Sequence, residues 1–316
     1  MPTTAAVLRA DHLGSDDVAE VFALTRAAGD ADGADPLSEH VVLHLRHGGD
    51  APAVHLLIRH GGTLVGYAHV DTTDLVEGAS AELVVHPMFR RGGLGRALVL
   101  AATAAAEEQD PAGRLRLWAH GDHPSATALA LSLGFERSRV LLQMRRPLDA
   151  PVDEPRLPAG VTLRPFRPEA DGEAWVRINA RAFADLPDQG RWTIDDLRVR
   201  MAEPWFDPAG FLLAERDGRL VGFHWTKVHG SLGDGPEHDH DPIGEVYVLG
   251  VDPAAQGHGL GAALTLAGLR YLRAKGLDQA MLYVDEANPG AVALYRKLGF
   301  ARWSTDVCFR RRRTGL

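Results

Sequence analysis

The sequence contains a single cysteine, Cys308, among its 316 residues. One thiol cannot close an internal disulfide, so the disulfide frameworks of small secreted domains are excluded and the cytoplasm is the expected location. Long hydrophobic runs are also absent, since no apolar stretch approaches the roughly 18 residues that span a bilayer. Residues 1–11 lack the apolar core of a signal peptide. We therefore expect no contact with a membrane.

Positive charge is scarce relative to negative charge. Lysine and arginine together number 34, aspartate and glutamate together number 42, and the formal net charge is −8. Proteins that bind nucleic acid in general carry a basic surface, so we expect no nucleic-acid partner. We expect the protein to be a monomer.

Clustered metal ligands are nearly absent from the sequence. The run from His238 to Asp241 has suitable chemistry, but it lies in a polar, Gly/Asp-rich stretch with no further ligand nearby in sequence. A zinc site needs three or four such side chains. We therefore expect no metal site.

Two glycine-rich loops match each other 166 positions apart. The first runs from Arg90 to Gly95 and the second from Gln256 to Gly261, and each follows an apolar run that ends in proline. Each also precedes an Ala/Leu-rich stretch that is typical of a helix. A strand, a glycine loop and a helix start together bind phosphate, because backbone N–H groups at the helix start point at the anion.

The repeat extends over both halves of the chain. Residues 65–67 (Val-Gly-Tyr) match residues 221–223 (Val-Gly-Phe), and the Leu-Gly-Phe at 133–135 recurs at 298–300. Each half predicts antiparallel strands followed by strand–helix–strand units, so the fold class is α/β, with a mixed α+β sheet in each of two tandem domains. A proline- and acid-rich linker at 149–159 separates residues 1–148 from residues 160–316.

The loops and their order resemble the GNAT acetyltransferase superfamily, whose loop pattern is Gln or Arg, two residues, Gly, one residue, and Gly or Ala. This resemblance implies one acetyl-CoA in each domain. Glycine would let the loop backbone approach the pyrophosphate, and the preceding strand would pair with the pantetheine arm. The expected acetyl-CoA residues of the second half are Leu249, Gly250, Val251, Gln256, Gly257, His258, Gly259, Leu260, Gly261, Ala262 and Asn288. Those of the first half are Leu83, Val84, Val85, Arg91, Gly92, Gly93, Leu94, Gly95 and Arg96.

Only the second half has the acid and base that the chemistry needs. Amide formation from a thioester requires a base to take a proton from the amine and an acid to protonate the departing thiolate. Glu245 and Tyr295 stand where the resemblance places a base and an acid, and the matching positions of the first half are Ala79 and Ala130. We expect Glu245 and Tyr295 to be catalytic, and the first domain to bind acetyl-CoA without catalysis.

The second half resembles, within the GNAT superfamily, the mycothiol synthase family. The segments that carry this resemblance lie at 189–193, 203–211, 222–227, 244–251 and 282–285. It implies acetylation of the cysteinyl amine of desacetylmycothiol (Cys-GlcN-inositol), which gives mycothiol and CoA. The resemblance assigns the substrate to Glu39, Asp188, Lys227, Glu245 and Tyr283, of which Glu39 would reach it from the first half. The family has glutamate at the position of the shorter Asp188.

Other functions remain open on the residues alone. Another small-molecule GNAT enzyme, for an aminoglycoside or an amino-acid derivative, would share every cofactor residue and differ in the acceptor pocket. A non-catalytic acetyl-CoA sensor would suit the alanines of the first half but not the acid–base pair of the second. We expect Trp192, Trp205, Phe206 and Trp225 to pack in the core or cleft, and His224 to be a strand residue rather than a base.

Overall fold

The computed structural model describes residues 6–48, 53–74, 77–184, 186–230 and 242–311, without the side chains of Pro187 and Asp188. The elements of the first half are β1 (Leu8–Ala10), α1 (Ser15–Asp32), α2 (Glu39–His47), β2 (Ala53–His60), β3 (Thr63–Asp71), β4 (Ala79–Val85), α3 (Leu94–Gln109), β5 (Leu115–Ala119), α4 (Pro124–Ser132) and β6 (Phe135–Pro147).

The second half repeats this order. Its elements are β7 (Val161–Pro165), α5 (Gly172–Ala182), α6 (Pro187–Gly190), α7 (Ile194–Met201), β8 (Phe211–Arg216), β9 (Arg219–His229), β10 (Ile243–Val251), α8 (Leu260–Ala274), β11 (Gln279–Asp285), α9 (Pro289–Lys297) and β12 (Ala301–Arg311). No helix in these described stretches is long and apolar enough to cross a bilayer.

The chain divides into two compact units that do not follow the two sequence halves at their last strands. The first unit contains the described residues up to Leu142, Asp285–Ala287 and the residues from Ser304 onward. The second contains Gln143–Val284 and Asn288–Trp303. The boundaries expected from the sequence, at 148 and 160, divide the chain at the linker. In the structure the end of β6, from Gln143, belongs to the second unit, and most of β12, from Ser304, belongs to the first.

The strand order accounts for this division. The first unit has the order β1-β2-β3-β4-β5, followed by the part of β12 from Ser304 onward. The second begins with the part of β6 from Gln143 onward, followed by β11-β10-β9-β8-β7. In the first unit β12 pairs antiparallel with β5, with Val307 opposite Ala119 and Arg310 opposite Arg116. Each unit contains both antiparallel and parallel pairs, such as β9–β10 and β10–β11 in the second. The predicted α/β class with a mixed sheet is confirmed.

Helices cover both faces of the sheet in each unit because both faces are apolar. In the first unit α3 covers a core that includes Leu98, Ala102 and Leu115, and α1 and α2 cover one that includes Val21 and Tyr67. The second unit has an aromatic core beneath α5 and α7, in which four rings are fully buried: Trp175, Phe211, Phe223 and Trp225. On its other face α8 packs Leu260 and Leu264 against Ala214.

Candidate active site

The glycine loop of the second unit begins a helix in the conformation that an anion site requires. Gly257 and Gly259 have φ of 83° and 82°, in the left-handed region that favours glycine, and Gly259 directly precedes α8. Gln256 holds the loop to the preceding strand, because its side-chain amide donates to the carbonyl of Val251 at 3.2 Å. The first N–H groups of α8 have no partners within the helix, so they can bind pyrophosphate oxygens.

The loop of the first unit has the same construction from different residues. Arg90 replaces the glutamine, and its Nε donates to the carbonyl of Val85 at 3.1 Å. Gly93, with φ of 86°, precedes α3 as Gly259 precedes α8. Arg91 has φ of 65° at the position of Gly257. A side chain in this region costs about 1 kcal/mol relative to glycine, so the first loop keeps the shared backbone shape at a cost.

The strands before both loops lose their parallel partners near their ends. In the second unit β10 pairs with β11 from Gly244 to Val246, and a bulge follows between Val246 and Val248. The later residues Leu249–Val251 pair with β9 on one side. In the first unit the β4–β5 pairing covers Ala79–Glu82, before Leu83–Val85. Each strand end therefore offers backbone groups on its other side, which can bind the amides of a pantetheine arm.

Helix α9 lies against the start of α8 in the second unit. A Cβ on Gly261 would lie 3.7 Å from Leu294, the residue before Tyr295. Tyr295 is 8% exposed, and burial raises the pKa of its hydroxyl to about 12. Among the described residues no partner accepts a hydrogen bond from this hydroxyl, so its proton can be donated elsewhere. The matching Ala130 of α4 in the first unit is buried and has no such proton.

Glu245 is buried on β10 beside His229 and Lys227. Its carboxylate accepts a hydrogen bond from Nε2 of His229 at 2.6 Å, and Lys227 stands opposite it on β9. Burial opposes ionisation, but His229 and Lys227 outweigh it, so the pKa of Glu245 lies below its ordinary value. The group is therefore an ionised carboxylate at neutral pH, as a proton acceptor must be.

Lys227 and Tyr283 share the face of the sheet with Glu245. Glu245 is opposite Lys227 on β9 and opposite Met281 on β11, and Tyr283 follows Met281 by two residues. The ammonium of Lys227 lies 4.8 Å from the ring centre of Trp205. Tyr283 is exposed, and its hydroxyl accepts from the side-chain amide of Gln143 at 2.7 Å. Three of the five expected substrate residues thus line one surface.

The remaining expected residues lie elsewhere. Asn288 precedes α9 and caps it, since its side chain accepts from the N–H of Ala291 at 3.0 Å. Its counterpart His123 caps α4 in the same way, through Nδ1. Glu39 begins α2 in the first unit. Asp188 lies on α6, and its side chain is outside the described part of the structure.

The residues expected to be structural are structural. His224 is fully buried, and its Nδ1 donates to the carbonyl of Leu264 on α8 at 2.7 Å. Trp225 is fully buried and stacks on Phe211 with 4.5 Å between the ring centres. Trp192, Trp205 and Phe206 pack around this core with partial exposure.

His229, the hydrogen-bond partner of Glu245, was not among the site residues expected from the sequence. His229 ends β9 two residues after Lys227, so the alternation of the strand places both on one face. That alternation was the available signal. It does not identify a partner, because the pairing register between β9 and β10 depends on a bulge and is not a local property of the sequence.

The first unit also contains buried ionisable groups that were not expected from the sequence. Glu82 on β4 accepts hydrogen bonds from the N–H and hydroxyl of Ser38, at 2.5 Å and 2.7 Å. The ring of His120 lies between Glu82, at 3.5 Å, and Asp306, at 2.9 Å. The four interacting residues, from Ser38 to Asp306, are far apart in the sequence, so no short motif predicts their contacts.

Comparison with known proteins agrees with the repeat. The model of the acetyltransferase (GNAT) family matches residues 21–135 and 174–300, once in each half of the sequence. A tandem GNAT protein from the clavulanic acid biosynthesis pathway has the same fold, with a TM-score of 0.72 and 23% identity over 96% of this chain and 98% of its own. A GCN5-related N-acetyltransferase from Sphaerobacter thermophilus gives a TM-score of 0.69 and 26% identity, covering 98% of this chain and 97% of that one.

Curated relatives match nearly the full length of the chain. A mycothiol acetyltransferase of Salinispora arenicola is 59% identical over 98% of this chain and 98% of its own. A mycothiol acetyltransferase of Acidothermus cellulolyticus is 59% identical over 92% of this chain and 90% of its own. With a family match in each half and relatives of this identity along its length, the chain belongs to the GNAT family of acetyltransferases and, within it, to the mycothiol acetyltransferases.

Proposed function

We propose that the chain transfers the acetyl group of acetyl-CoA to the cysteinyl amine of desacetylmycothiol (Cys-GlcN-inositol), giving mycothiol and CoA. The observation that carries the proposal is the pairing of the buried carboxylate of Glu245 with His229, opposite Lys227, which only the second copy of the domain has among the described residues. The relatives' shared name, mycothiol acetyltransferase, supports the choice of acceptor.

Glu245 acts as the base in this proposal. The acceptor amine is nucleophilic only after it loses a proton, and the carboxylate of Glu245 takes that proton directly or through a water molecule. The low pKa of Glu245, caused by His229 and Lys227 against the effect of burial, keeps it ready to accept. Ala79 at the matching position of the first unit cannot do this.

Tyr295 acts as the acid. Acetyl-CoA supplies the activated acetyl group as a thioester. The buried hydroxyl of Tyr295, with its pKa raised to about 12, keeps its proton until a thiolate can take it. A backbone N–H of the Leu249–Val251 segment stabilises the oxyanion that forms during attack.

Lys227, Glu245 and Tyr283 bind the acceptor. A sugar and an inositol present many hydroxyl groups, which need hydrogen-bond donors and acceptors on the protein. The shared face of β9, β10 and β11 supplies an ammonium, a carboxylate and a phenol. Glu39 and Asp188 remain proposed substrate residues on the family resemblance.

We propose that each unit binds one acetyl-CoA and that only the second is productive. The shared φ pattern of the loops and the matching strand ends support two sites. Arg96 and Ala262 occupy equivalent positions in the first turns of α3 and α8. We also propose a monomer in the cytoplasm, since a chain with one cysteine cannot close an internal disulfide.

The direct test is to incubate the protein with acetyl-CoA and desacetylmycothiol and to follow free CoA and the acetylated product. We expect stoichiometric acetylation of the amine. If CoA is released with an aminoglycoside or an amino-acid derivative but not with desacetylmycothiol, that other amine is the acceptor and the proposed acceptor is wrong. No release with any amine, despite bound acetyl-CoA, would favour the sensor.

The number of productive sites is tested with two matched substitutions. Arg96→Glu and Ala262→Glu each place a carboxylate in the first turn of a loop helix, where it suits the helix dipole but repels pyrophosphate. Calorimetry should find two acetyl-CoA molecules per native chain and one per variant. Turnover should be lost in Ala262→Glu and kept in Arg96→Glu; the reverse pattern would assign catalysis to the first unit.

A further inference from the structure

Three histidines converge in the first unit, outside the residues assigned to acetyl transfer. His55 on β2 and His69 on β3 stand opposite each other in the antiparallel pair, and His44 reaches them from α2. One ring nitrogen from each lies within 4.8 Å of the other two. The ring centres are 4.9 Å apart for His44 and His69, and 5.5 Å apart for His55 and His69.

The middle of this cluster holds an unsatisfied polar ring. His69 is 2% exposed, and neither of its ring nitrogens has a hydrogen-bond partner among the described residues. Buried polar groups in folded proteins are almost always hydrogen-bonded, so this exception requires a ligand or a reason. His55 is also buried, and its Nδ1 lies 2.8 Å from the hydroxyl of Tyr67.

The domain fold itself does not require histidine at these positions. In the second unit, Phe211 and Trp225 occupy the same opposed pair on β8 and β9 and form an aromatic stack. The repeat therefore fills this place with a phenyl and an indole ring in one copy and with imidazoles in the other. Buried imidazoles whose ring nitrogens lack hydrogen-bond partners are unfavourable in a hydrophobic core, but neutral imidazole is a common metal ligand.

We propose that His44, His55 and His69 bind one divalent zinc-class cation. Three imidazole nitrogens and a water molecule form the tetrahedral set that Zn²⁺ accepts, at about 2.0–2.1 Å from each nitrogen. This requires the nitrogens to approach to about 3.3 Å of one another. Rotation of the rings supplies that approach, since His44 is only partly buried on its helix.

The surroundings of the cluster suit such a site. Tyr67 contacts Nδ1 of His55, which leaves Nε2 for the cation and lets Nδ1 donate to the phenol, as outer partners of ligating histidines do. His69 offers both of its ring nitrogens, since neither has a hydrogen-bond partner among the described residues. A cavity of about 770 Å³ reaches His44 and His55 and provides an entry path.

The cation would link α2 to the β2–β3 hairpin of the first unit. This role is separate from acetyl transfer, because none of its ligands belongs to the loops or to the Glu245 cluster. It gives the first unit a function in stability beyond acetyl-CoA binding. It also departs from the sequence-based expectation of no metal site.

The test uses the full-length protein without an affinity tag, stripped with a chelator and reloaded with Zn²⁺. We expect one zinc per chain by elemental analysis, and a Co²⁺-loaded form with the strong visible absorption of four-coordinate cobalt. His69→Gln and His44→Gln should each weaken Zn²⁺ binding at least 10-fold. His60→Gln, at the exposed end of the same β2 strand, is the matched control and should keep binding.

Two further measurements keep the outcome decisive. Zn²⁺ should raise the Tm of the native protein but not that of His44→Gln, the ligand variant least able to disturb the core. Circular dichroism must show that each variant is folded. Absence of binding by the native protein, or unchanged binding in folded His69→Gln and His44→Gln, would overturn the site. If Zn²⁺ binding is lost in a His238→Asn/His240→Asn double variant but kept in His69→Gln and His44→Gln, the zinc binds at residues 238–240. That result would also overturn the proposed site.

Discussion

His120 contacts Asp306 through a 2.9 Å interaction between Nδ1 and the carboxylate, although 186 residues separate them. Nε2 of the same ring lies 3.5 Å from Glu82 on β4. All three residues belong to the first unit, to which Asp306 comes from the last strand of the chain. A buried imidazolium between two carboxylates therefore joins β12 to the first unit.

We predict that Asp306→Asn destabilises the first unit by about 3 kcal/mol at pH 6, since it removes one of the two carboxylates that pair with the buried imidazolium. Burial lowers the pKa of His120, but Asp306 and Glu82 outweigh it and raise the pKa to about 10. Protonated His120 contributes fully to the free energy of unfolding at pH values below 6.5, its ordinary pKa in the unfolded chain. This contribution is lost as the pH rises through about 10, where His120 loses its proton in the folded state.

Urea unfolding at a series of pH values between 6 and 10 checks this prediction. The difference in unfolding free energy between the native protein and Asp306→Asn should shrink as the pH rises. Asp30→Asn, which removes an exposed carboxylate of α1, should change stability little at any pH. A difference that does not change between pH 6 and 10 would show that His120 is neutral in the folded state.

Local signals predict much of the fold because they act within a few residues. Thr193 followed by acids predicts the start of a helix, and α7 begins there, with Thr193 and Asp196 capping each other at 2.8 Å and 3.2 Å. The glycine loops likewise predict the helices after them, because a left-handed residue at the helix start favours glycine. The family and the fold class follow from these signals.

The partners of buried charges could not be predicted in this way. His229 reaches Glu245 through a strand register that a bulge shifts, and His120 reaches Asp306 through the strand order of the first unit. His69 meets His44 only because α2 packs over β3. Each of these contacts depends on tertiary placement, for which a repeat of glycines and apolar residues carries no signal.

Tyr295→Phe should lower kcat roughly 100-fold, because general acid catalysis contributes at least that factor. The ring and its contact with Phe300, at 5.8 Å between centres, are kept, so the fold and acetyl-CoA affinity should change little. Steady-state kinetics and calorimetry separate the two effects. Unchanged kcat would remove Tyr295 from the mechanism.

His229→Gln should raise the pKa of Glu245, since the 2.6 Å hydrogen bond and the charge of His229 are the main causes of its lowering. Glu245 has a lowered pKa, so its contribution to stability is present above the ordinary glutamate value and is lost as pH falls through the folded value. His229→Gln should therefore have a lower free energy of unfolding than the native protein at pH values above the ordinary pKa of glutamate. Carbon-13 NMR titration of the glutamate carboxyls measures the shift directly.

Glu245→Gln identifies the resonance in that titration and serves as the catalytic control. Its turnover should fall roughly 100-fold as the base is removed. A pKa of Glu245 that stays unchanged in His229→Gln would show that Lys227 and the surrounding fold, rather than His229, set its ionisation.

Gly268→Ala should destabilise the second unit by about 3 kcal/mol. A Cβ at this position on α8 would lie 2.0 Å from Cε1 of His224, and that ring cannot move away because Nδ1 is held by Leu264 at 2.7 Å. Replacing glycine by alanine inside a helix without such a contact stabilises it by up to about 1 kcal/mol. Gly29→Ala on α1 is the matched control, since its nearest atom is the flexible carboxylate of Asp35 at 3.2 Å. Thermal unfolding of the two variants should move in opposite directions, and a stabilised Gly268→Ala would mean that His224 is not fixed against α8.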